Sequence, residues 1–445
     1  MKLKKCILAL TVLLLSCLLG GCLMKSVSDL YELPQQSAEY RAIQLAVEES
    51  LPIGAQFISP MNGSNLQSMQ MVDFDGDGQE EIIVFVMASG EKPLKVYIFD
   101  LQDSGYENIC IIESSGRYFD RVDYAQMDGL DGNEIILGRR VSNVSTQIVD
   151  VYSIADGKLV QQMSAEYSEY LLTDLNSDGK SDLFLTNFDP ETYTGIAEVY
   201  HHVNGEMQKE PALTLSMRES GLRRIHTGRL TSQDPGVFVS GVLENGSAVT
   251  DAFGFMDGIF AQVSSQRHLE LVSTPVQGYN FFATYYDGDG VMEFPQVIQL
   301  NETDETPGET AYQAILWYEY DSLKGKILDG ATYHHYSSGW FFTIPTRFGT
   351  DFTVERNASI SGVSGLTFYK GREKTPENEL FSVFAFTGAG RNVAVSENSC
   401  FILSVRNETV YAARLGEGAD GMRLTQEELA AMFNFIQVDW NSGET

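Results

Sequence analysis

The chain has 445 residues, of which 43% are hydrophobic, 30 are basic and 61 are acidic, so its formal net charge is −31. A surface with this excess of carboxylates repels nucleic-acid phosphates and anionic lipid headgroups and attracts cations. The composition therefore excludes nucleic-acid binding and favours a cation-binding protein.

The first 21 residues have the pattern of a targeting segment. Three lysines within the first five residues precede an apolar run over residues 6–19. This run is shorter than the ~20 residues that a spanning helix needs, so it predicts a signal peptide. Leu19-Gly20-Gly21-Cys22 resembles a lipobox, which implies acylation of Cys22. An ordinary signal peptide and a membrane helix with an incidental cysteine are the alternatives.

Acylation of Cys22 would anchor the mature chain in the membrane on its extracytoplasmic face, because two or three acyl chains make a stable anchor. Without its leader the chain keeps 27 basic and 61 acidic residues and has a formal charge of −34. Residues 22–57 are predicted to form a polar tether (Met24–Gln36) and one amphipathic helix. That helix starts at the N-cap Ser37 and ends near Leu51.

An acidic segment then reads DFDGDGQEE from Asp73 to Glu81 and runs into an apolar strand. Oxygens at its first, third, fifth, seventh and ninth positions can converge on one hard cation, because two glycines let the backbone curl. The predicted ligands are Asp73, Asp75, Asp77, the carbonyl of Gln79, and Glu81. The ion expected is calcium, but not in an EF-hand, since position twelve is Val84.

The same sequence pattern recurs along the chain, which indicates an internal repeat. A second strong copy has the predicted ligands Asp174, Asn176, Asp178, the carbonyl of Lys180, and Asp182. A weaker copy has the predicted ligands Asp287, Asp289 and Glu293, with Tyr285 in the first position. The sequence thus predicts two good calcium loops and a weaker third.

Two further copies are degenerate. Residues 126–134 keep Asp128, Asp131 and Glu134 but have Gln126 first and Leu130 fifth, so calcium binding is left open there. Residues 228–236 align only by the strand that follows and have lost the ligands. The ninth positions of the five copies are 53, 48, 54 and 57 residues apart, a spacing of the size of a propeller blade.

These segments resemble the FG-GAP or VCBS repeat family, which includes the repeats of integrin α-chain propellers. The resemblance covers roughly Asn65 to Gly330 and implies that each repeat is one four-stranded blade whose acidic loop holds calcium. The chain also resembles a type of bacterial lipoprotein of unassigned function that joins such repeats to a short C-terminal module. The resemblance implies a fold and a cation, not an activity.

The expected fold is all-β, a calcium-loop β-propeller of five to seven blades over residues 58–371. The clearest predicted strands share short β-branched and aromatic runs bounded by turn residues. They are Ile82–Met87, Val96–Phe99, Ile109–Ile112, Ile135–Leu137, Ile148–Tyr152, Leu183–Leu185 and Val237–Val239. A sixth blade is predicted from Trp317–Tyr320, Trp340–Pro345, Phe352–Val354 and Leu366–Tyr369, and Glu302–Glu309 is predicted to be a surface loop.

Residues 372–445 are predicted to form a small α+β module. Its strands are Leu380–Phe386, Cys400–Val405 and Val410–Ala413, and a helix with a Thr425/Glu428 capping box runs to about Ile436. Beyond the lipid site only Cys110 and Cys400 remain, and two separate thiols are favoured over a disulfide.

No catalytic constellation is visible in the sequence. It contains no nucleophile elbow, phosphate loop or zinc motif, and the adjacent pairs His201-His202 and His334-His335 point to opposite faces of a strand. We therefore predict a monomeric, non-enzymatic surface lipoprotein that binds or scaffolds an extracellular protein or glycan. The alternative is a secreted propeller enzyme that acts on glycans or peptides.

Overall fold

The structure is a computed structural model that describes residues 38–436 except 142–146, 156–157, 264–271, 274, 277, 301–311, 322–323, 358–361 and 419–421. The predicted signal peptide, Cys22, the tether, Ser37 and the loop Glu302–Glu309 lie outside the described residues. Within the described part, no helix has the length and apolar character needed to cross a membrane.

The predicted N-terminal helix is α1 (Ala38–Ser50). Ile43 and Val47 lie one turn apart on its inner face, and both are buried in a cluster with Val84 and Tyr97 of the first sheet. The helix therefore packs on the β structure through the apolar stripe that its sequence predicts.

The described chain is otherwise mostly β, as expected, and its strands form six antiparallel sheets in chain order. The first sheet contains β1 (Gln56–Phe57), β2 (Met69–Val72), β3 (Glu81–Met87), β4 (Leu94–Gln102) and β5 (Gly105–Ser114). The second contains β6 (Tyr118–Ala125), β7 (Glu134–Arg140), β8 (Gln147–Ala155) and β9 (Lys158–Tyr167). The third contains β10 (Glu169–Thr173), β11 (Asp182–Phe188), β12 (Gly195–Val203), β13 (Glu206–Lys209) and β14 (Leu213–Thr214).

The strands of the remaining sheets also pair antiparallel. The fourth contains β15 (Leu222–Arg229), β16 (Pro235–Val242), β17 (Ala248–Met256), β18 (Ile259–Gln262) and β19 (Val272–Ser273). The fifth contains β20 (Glu293–Gln299), β21 (Gln313–Asp321), β22 (Gly325–His335), β23 (Trp340–Ile344) and β29 (Phe433–Phe435). The sixth contains β24 (Phe352–Arg356), β25 (Val363–Lys370), β26 (Glu379–Phe386), β27 (Phe401–Arg406) and β28 (Thr409–Leu415).

Each sheet packs on the next one along the chain. Five buried clusters join neighbouring sheets, through pairs such as Ile83 with Phe119, Met163 with Leu183, Phe184 with Phe253, Phe238 with Phe294, and Phe342 with Phe368. The inner strand β3 is buried along almost its whole length, which explains its continuous apolar sequence. The core is thus a series of sheet-to-sheet interfaces.

The predicted composition of the sixth blade is wrong in part. The segments Trp317–Tyr320 and Trp340–Pro345 lie in β21 and β23 of the fifth sheet, because β22 pairs with both of these strands. Phe352–Val354 and Leu366–Tyr369 do form the start of the sixth sheet. The two short tryptophan-bearing runs carry no signal that separates one sheet from the next.

The C-terminal region shares its sheets with the preceding chain. The boundary expected at residue 371 lies between β25 and β26, which are hydrogen-bonded neighbours. Helix α2 (Arg391–Glu397) and helix α3 (Gln426–Met432) flank these strands, and the Thr425/Glu428 capping box is confirmed. The predicted extension of the last helix to Ile436 is wrong, because residues 433–435 pair with β23 instead.

Candidate metal sites

One loop geometry recurs immediately before the buried strands β3, β7, β11 and β20. In the first (73–81), second (126–134), third (174–182) and fifth (285–293) loops, the ninth-position carboxylate accepts a hydrogen bond from the backbone N–H of the second position. The bonds are Phe74 to Glu81 (2.6 Å), Met127 to Glu134 (2.6 Å), Leu175 to Asp182 (2.9 Å) and Tyr286 to Glu293 (2.8 Å). Each carboxylate is buried at the start of a strand, so each loop is closed by a buried acid.

The first loop brings three carboxylates together. One oxygen from each of Asp73, Asp75 and Glu81 lies within 4.8 Å of the other two. Calcium binds oxygen at 2.3–2.6 Å, so ligand oxygens across one ion are about 5 Å apart or less. These three predicted ligands therefore fit one calcium-sized cation.

Glu81 is buried and has one unsatisfied carboxylate oxygen. Its Oε2 accepts the N–H groups of Phe74 and Asp75, whereas no group in the described structure donates to its buried Oε1. Burial, followed by the charge of Asp75, raises the pKa of Glu81 to about 7. A bound cation would satisfy Oε1 and stabilise the ionised form.

The predicted ligand Asp77 is not part of this group of three. Asp77 is exposed, and its Oδ1 accepts the N–H of Gln79 at 2.7 Å. The backbone turn is held further by Gly76, whose N–H donates to Asp73 at 2.8 Å. The loop is thus preformed by its own hydrogen bonds.

The fifth loop has the same convergence, although its sequence lacks the first acid. One oxygen from each of Asp287, Asp289 and Glu293 lies within 4.8 Å of the others. Glu293 is fully buried, and its Oε1 has no hydrogen-bond partner among the described residues. Burial and then the charges of Asp287 and Asp289 raise the pKa of Glu293 to about 8.

The third loop differs, although its sequence matches the ligand pattern better. Asp174, Asp178 and Asp182 do not come within 4.8 Å of one another in the described structure. Both oxygens of Asp174 accept backbone N–H groups of the turn, at 3.0 and 2.9 Å. The amine of Lys180 lies 3.5 Å from Asp178 and supplies a positive charge beside that carboxylate.

The remaining third-loop residues also have protein partners. Asn176 accepts the N–H of Asp178 through Oδ1, and its Nδ2 lies 3.4 Å from His201 Nδ1. Burial raises the pKa of Asp182 to about 6, although the nearby His201 opposes the rise.

The second loop is closed by Glu134, and burial raises the pKa of this residue to about 7. Asp128 and Asp131 form no convergent group with it in the described structure. In the fourth loop, Asp234 instead bonds Thr231 at 2.7 Å.

Neighbouring loops touch. The amide of Asn133 in the second loop donates to the carbonyl of Asp73 at 2.9 Å, and the N–H of Ser181 in the third donates to Gln126 at 2.9 Å. A Cβ on Gly76 would collide with the backbone of Asp131, so only glycine fits there. The first three loops therefore form one contiguous acidic edge rather than isolated turns.

Histidine and cysteine do not add a second kind of metal site in the described structure. Neither histidine pair belongs to a convergent group, and His201 instead lies 2.9 Å from Glu210. Cys110 and Cys400 are free and half-buried, which confirms the prediction of two separate thiols.

No protein-family model and no curated protein matches the chain. Among solved structures, it is similar to rhamnogalacturonan lyase YesW, with 13% identity over 61% of this chain and 68% of that one and a TM-score of 0.31. It is also similar to a protein from Lactobacillus plantarum, with 10% identity over 69% and 82% of the two chains and a TM-score of 0.23. Both likenesses are too weak to assign a fold or an activity.

Proposed function

We propose that this chain is a calcium-stabilised β-propeller of a bacterial envelope lipoprotein, which binds or scaffolds an extracellular protein or glycan without catalysing a reaction. The observation that carries the cation role is the convergence of three carboxylates in each of two loops, around a buried glutamate oxygen that has no donor. An unpaired buried carboxylate is costly, and a calcium ion would neutralise it.

The propeller is supported by the order of the sheets. Six antiparallel sheets pack each on the next, and a closing acid recurs at the ninth position of four of the five loops. A radial arrangement would bring the acidic loops to one face and protect most sheet edges. Calcium would then fix the connection between the first two strands of a sheet.

Thermal unfolding tests the cation role directly. The full chain is melted in chelator, in millimolar calcium and in millimolar magnesium, with Asp234→Asn in the fourth loop as the control. Calcium at a hundredfold excess over Kd adds about 2.7 kcal/mol per site by linkage. Magnesium should do less, because it requires a smaller octahedral shell. Identical curves in chelator and calcium would refute the proposal.

The lipid anchor is tested at Cys22. The Cys22→Ser variant should stay unprocessed or leave the membrane fraction, because acylation at this residue is the proposed anchor. Cells that express the matched control variant Cys110→Ser should retain the processed protein at the membrane. Normal processing and membrane retention of Cys22→Ser would rule out the lipoprotein.

The ligand is tested by stabilisation in calcium. A glycan or protein that binds the folded chain should raise its melting temperature with concentration. Reproducible turnover of a glycan or peptide would instead favour an enzyme.

A further inference from the structure

The fifth loop has Tyr285 where the first loop has Asp73, and two carboxylates from other strands lie beside it, outside the three oxygens that converge within 4.8 Å. Glu319 in β21 is the cross-strand partner of Glu293 in the sheet register. Asp329 in β22 follows on the next strand. Neither residue belongs to the loop, so the repeat pattern does not reveal them.

A β-bulge places Asp329. Trp317 pairs with Gly330 and Tyr318 pairs with Leu328, so Asp329 is the extra residue between them. A bulge re-aims the side chain that it carries. The hydroxyl of Tyr286 lies against Gly330, the residue after Asp329, while the N–H of the same tyrosine donates to Glu293. Asp329 and Glu293 therefore flank Tyr286.

Two oxygens of this cluster lack donors. In the described structure, neither Oε1 of Glu293 nor Oδ2 of Asp329 has a hydrogen-bond partner, and both atoms are buried. Glu319 lies directly across the sheet from Glu293, so its carboxylate adds negative charge on the same face. The carboxylates thus repel one another across a site that already contains three convergent oxygens.

We infer that Asp329 and Glu319 join Asp287, Asp289 and Glu293 in one composite site for a calcium-sized cation. Asp329 supplies the ligand that Tyr285 cannot, and Glu319 adds negative charge beside Glu293. The inference rests on the proposed cation role of the fifth loop. Calcium fits it better than magnesium because carboxylates from a loop and two strands form an irregular oxygen cage.

The second sheet provides a natural comparison. A bulge at the corresponding place in β9 carries Gln162, whose amide donates to the hydroxyl of Ser153 at 2.7 Å. Ser153 lies across from Glu134, as Glu319 lies across from Glu293. The bulge itself is therefore shared, and only the fifth sheet fills these two positions with acids.

Terbium luminescence can report on this site alone. The ring of Trp317 stacks on Tyr286 at 5.3 Å, whereas the described first loop has Phe74 and no tryptophan in its sequence. Terbium emission excited through tryptophan should therefore come from the fifth loop, and Trp317→Phe should remove it. Calcium competition then gives the calcium affinity.

The variants are Asp329→Asn, Glu319→Gln and the double variant Glu319→Ser/Asp329→Gln, which copies the second sheet. Asp329→Asn should weaken terbium and calcium binding about tenfold or more. Glu319→Gln should weaken it less. Asp75→Asn, in the first loop, is the matched control and should leave the tryptophan-excited signal unchanged.

Melting in chelator separates loss of a ligand from loss of the fold. Asp329→Asn should raise the melting temperature in chelator, since one repelling charge is gone, and should reduce the gain from calcium. If Asp329→Asn does not fold, the weakened binding must appear in Glu319→Gln.

The outcomes distinguish the composite site from the cation role of the loop alone. Unchanged affinity in the folded variants, with normal binding by the wild type, would overturn the composite site and leave the loop site intact. Absence of terbium emission and of calcium stabilisation in the wild type would overturn the proposed function itself.

Discussion

The third and fifth acidic loops share a closing hydrogen bond but differ in where their other carboxylates lie. In the fifth loop Asp287 and Asp289 converge with Glu293, whereas in the third the acids bond the backbone and Lys180. The fifth loop has fewer of the expected ligands. The comparison indicates that the surrounding sheet, as well as the loop, determines whether the carboxylates converge.

The third and fifth sheets also differ in the residue that lies across the sheet from the closing acid. In the third sheet Leu183 pairs with Tyr200, so His201 lies opposite Asp182; in the fifth sheet Glu319 pairs with Glu293. A histidine can supply positive charge to the closing acid, but a glutamate repels it. The first sheet resembles the fifth, because Asp100 follows the paired residue Phe99 and raises the pKa of Glu81.

The largest effect is expected from substitutions that remove the closing hydrogen bond of a loop. Glu293→Ala and Asp182→Ala each leave a buried N–H unpaired, so each should cost about 1–3 kcal/mol of unfolding free energy. Glu293→Ala should lose a further 2.7 kcal/mol or so when calcium is a hundredfold above Kd. Urea unfolding in chelator and in calcium measures both values. An equal calcium effect on the two variants would contradict the comparison.

Single ligand substitutions should give the next largest effect. Asp75→Asn and Asp289→Asn should each remove about half of the gain in melting temperature that calcium produces, because each weakens one of two similar sites. Asp178→Asn should leave the gain nearly unchanged, since Asp178 already has Lys180 beside it. Asp234→Asn is the control. A large loss in Asp178→Asn would show that the third loop also binds calcium.

A smaller effect is expected from pH. The pKa values of Glu81 and Glu293 are raised to about 7 and about 8, above the ordinary value of 4.5. Without metal, the stability that these acids contribute is present at low pH and is lost as the pH rises through those values. Calcium requires the ionised acids, so its stabilisation should grow between pH 5 and pH 8. Melting curves across this range, with and without chelator, measure it.

A constant calcium gain across that range would mean that protons do not compete with the cation at these acids. The Glu81→Gln/Glu293→Gln double variant is the control, since it should show neither the gain nor its dependence on pH.

The smallest effect is a gain of function in the third loop. Lys180→Gln removes the competing amine and copies Gln79, and His201→Asp copies Asp100. The double variant should show a stronger calcium response than the wild-type third loop. Calorimetric titration in an Asp75→Asn/Asp289→Asn background isolates this response. Its absence would mean that the turn geometry of Asp174, rather than charge, prevents binding.

Much of the loop geometry could be predicted from the sequence, because each loop is one contiguous segment. Two glycines and a buried ninth-position acid define the turn, and the strands and the capping box also follow from local patterns. The residue across the sheet is harder to find. Asp100, Ser153 and His201 each follow the closing acid of their loop by 19 residues, a signal that sequence reasoning overlooked. Glu319 follows Glu293 by 26, and the bulge at Asp329 shifts the register again, so no fixed spacing predicts the composite site.

The end of the last helix shows the same limit. Thr425 and Glu428 predict where α3 begins, but the apolar residues that follow fit a helix as well as a strand. Pairing of Phe433–Phe435 with β23 decides in favour of a strand, and that partner lies about 90 residues earlier.

That pairing also imposes an order on folding. The fifth sheet takes its outer strand from residues 433–435, and the whole sixth sheet lies between β23 and that strand in the chain. During synthesis, therefore, the edge of β23 stays unpaired until residue 435 has left the ribosome, and its exposed edge is open to pairing with other chains. Contacts of such long sequence separation form slowly. Closure of the fifth sheet thus depends on a strand that lies about 90 residues later in the chain.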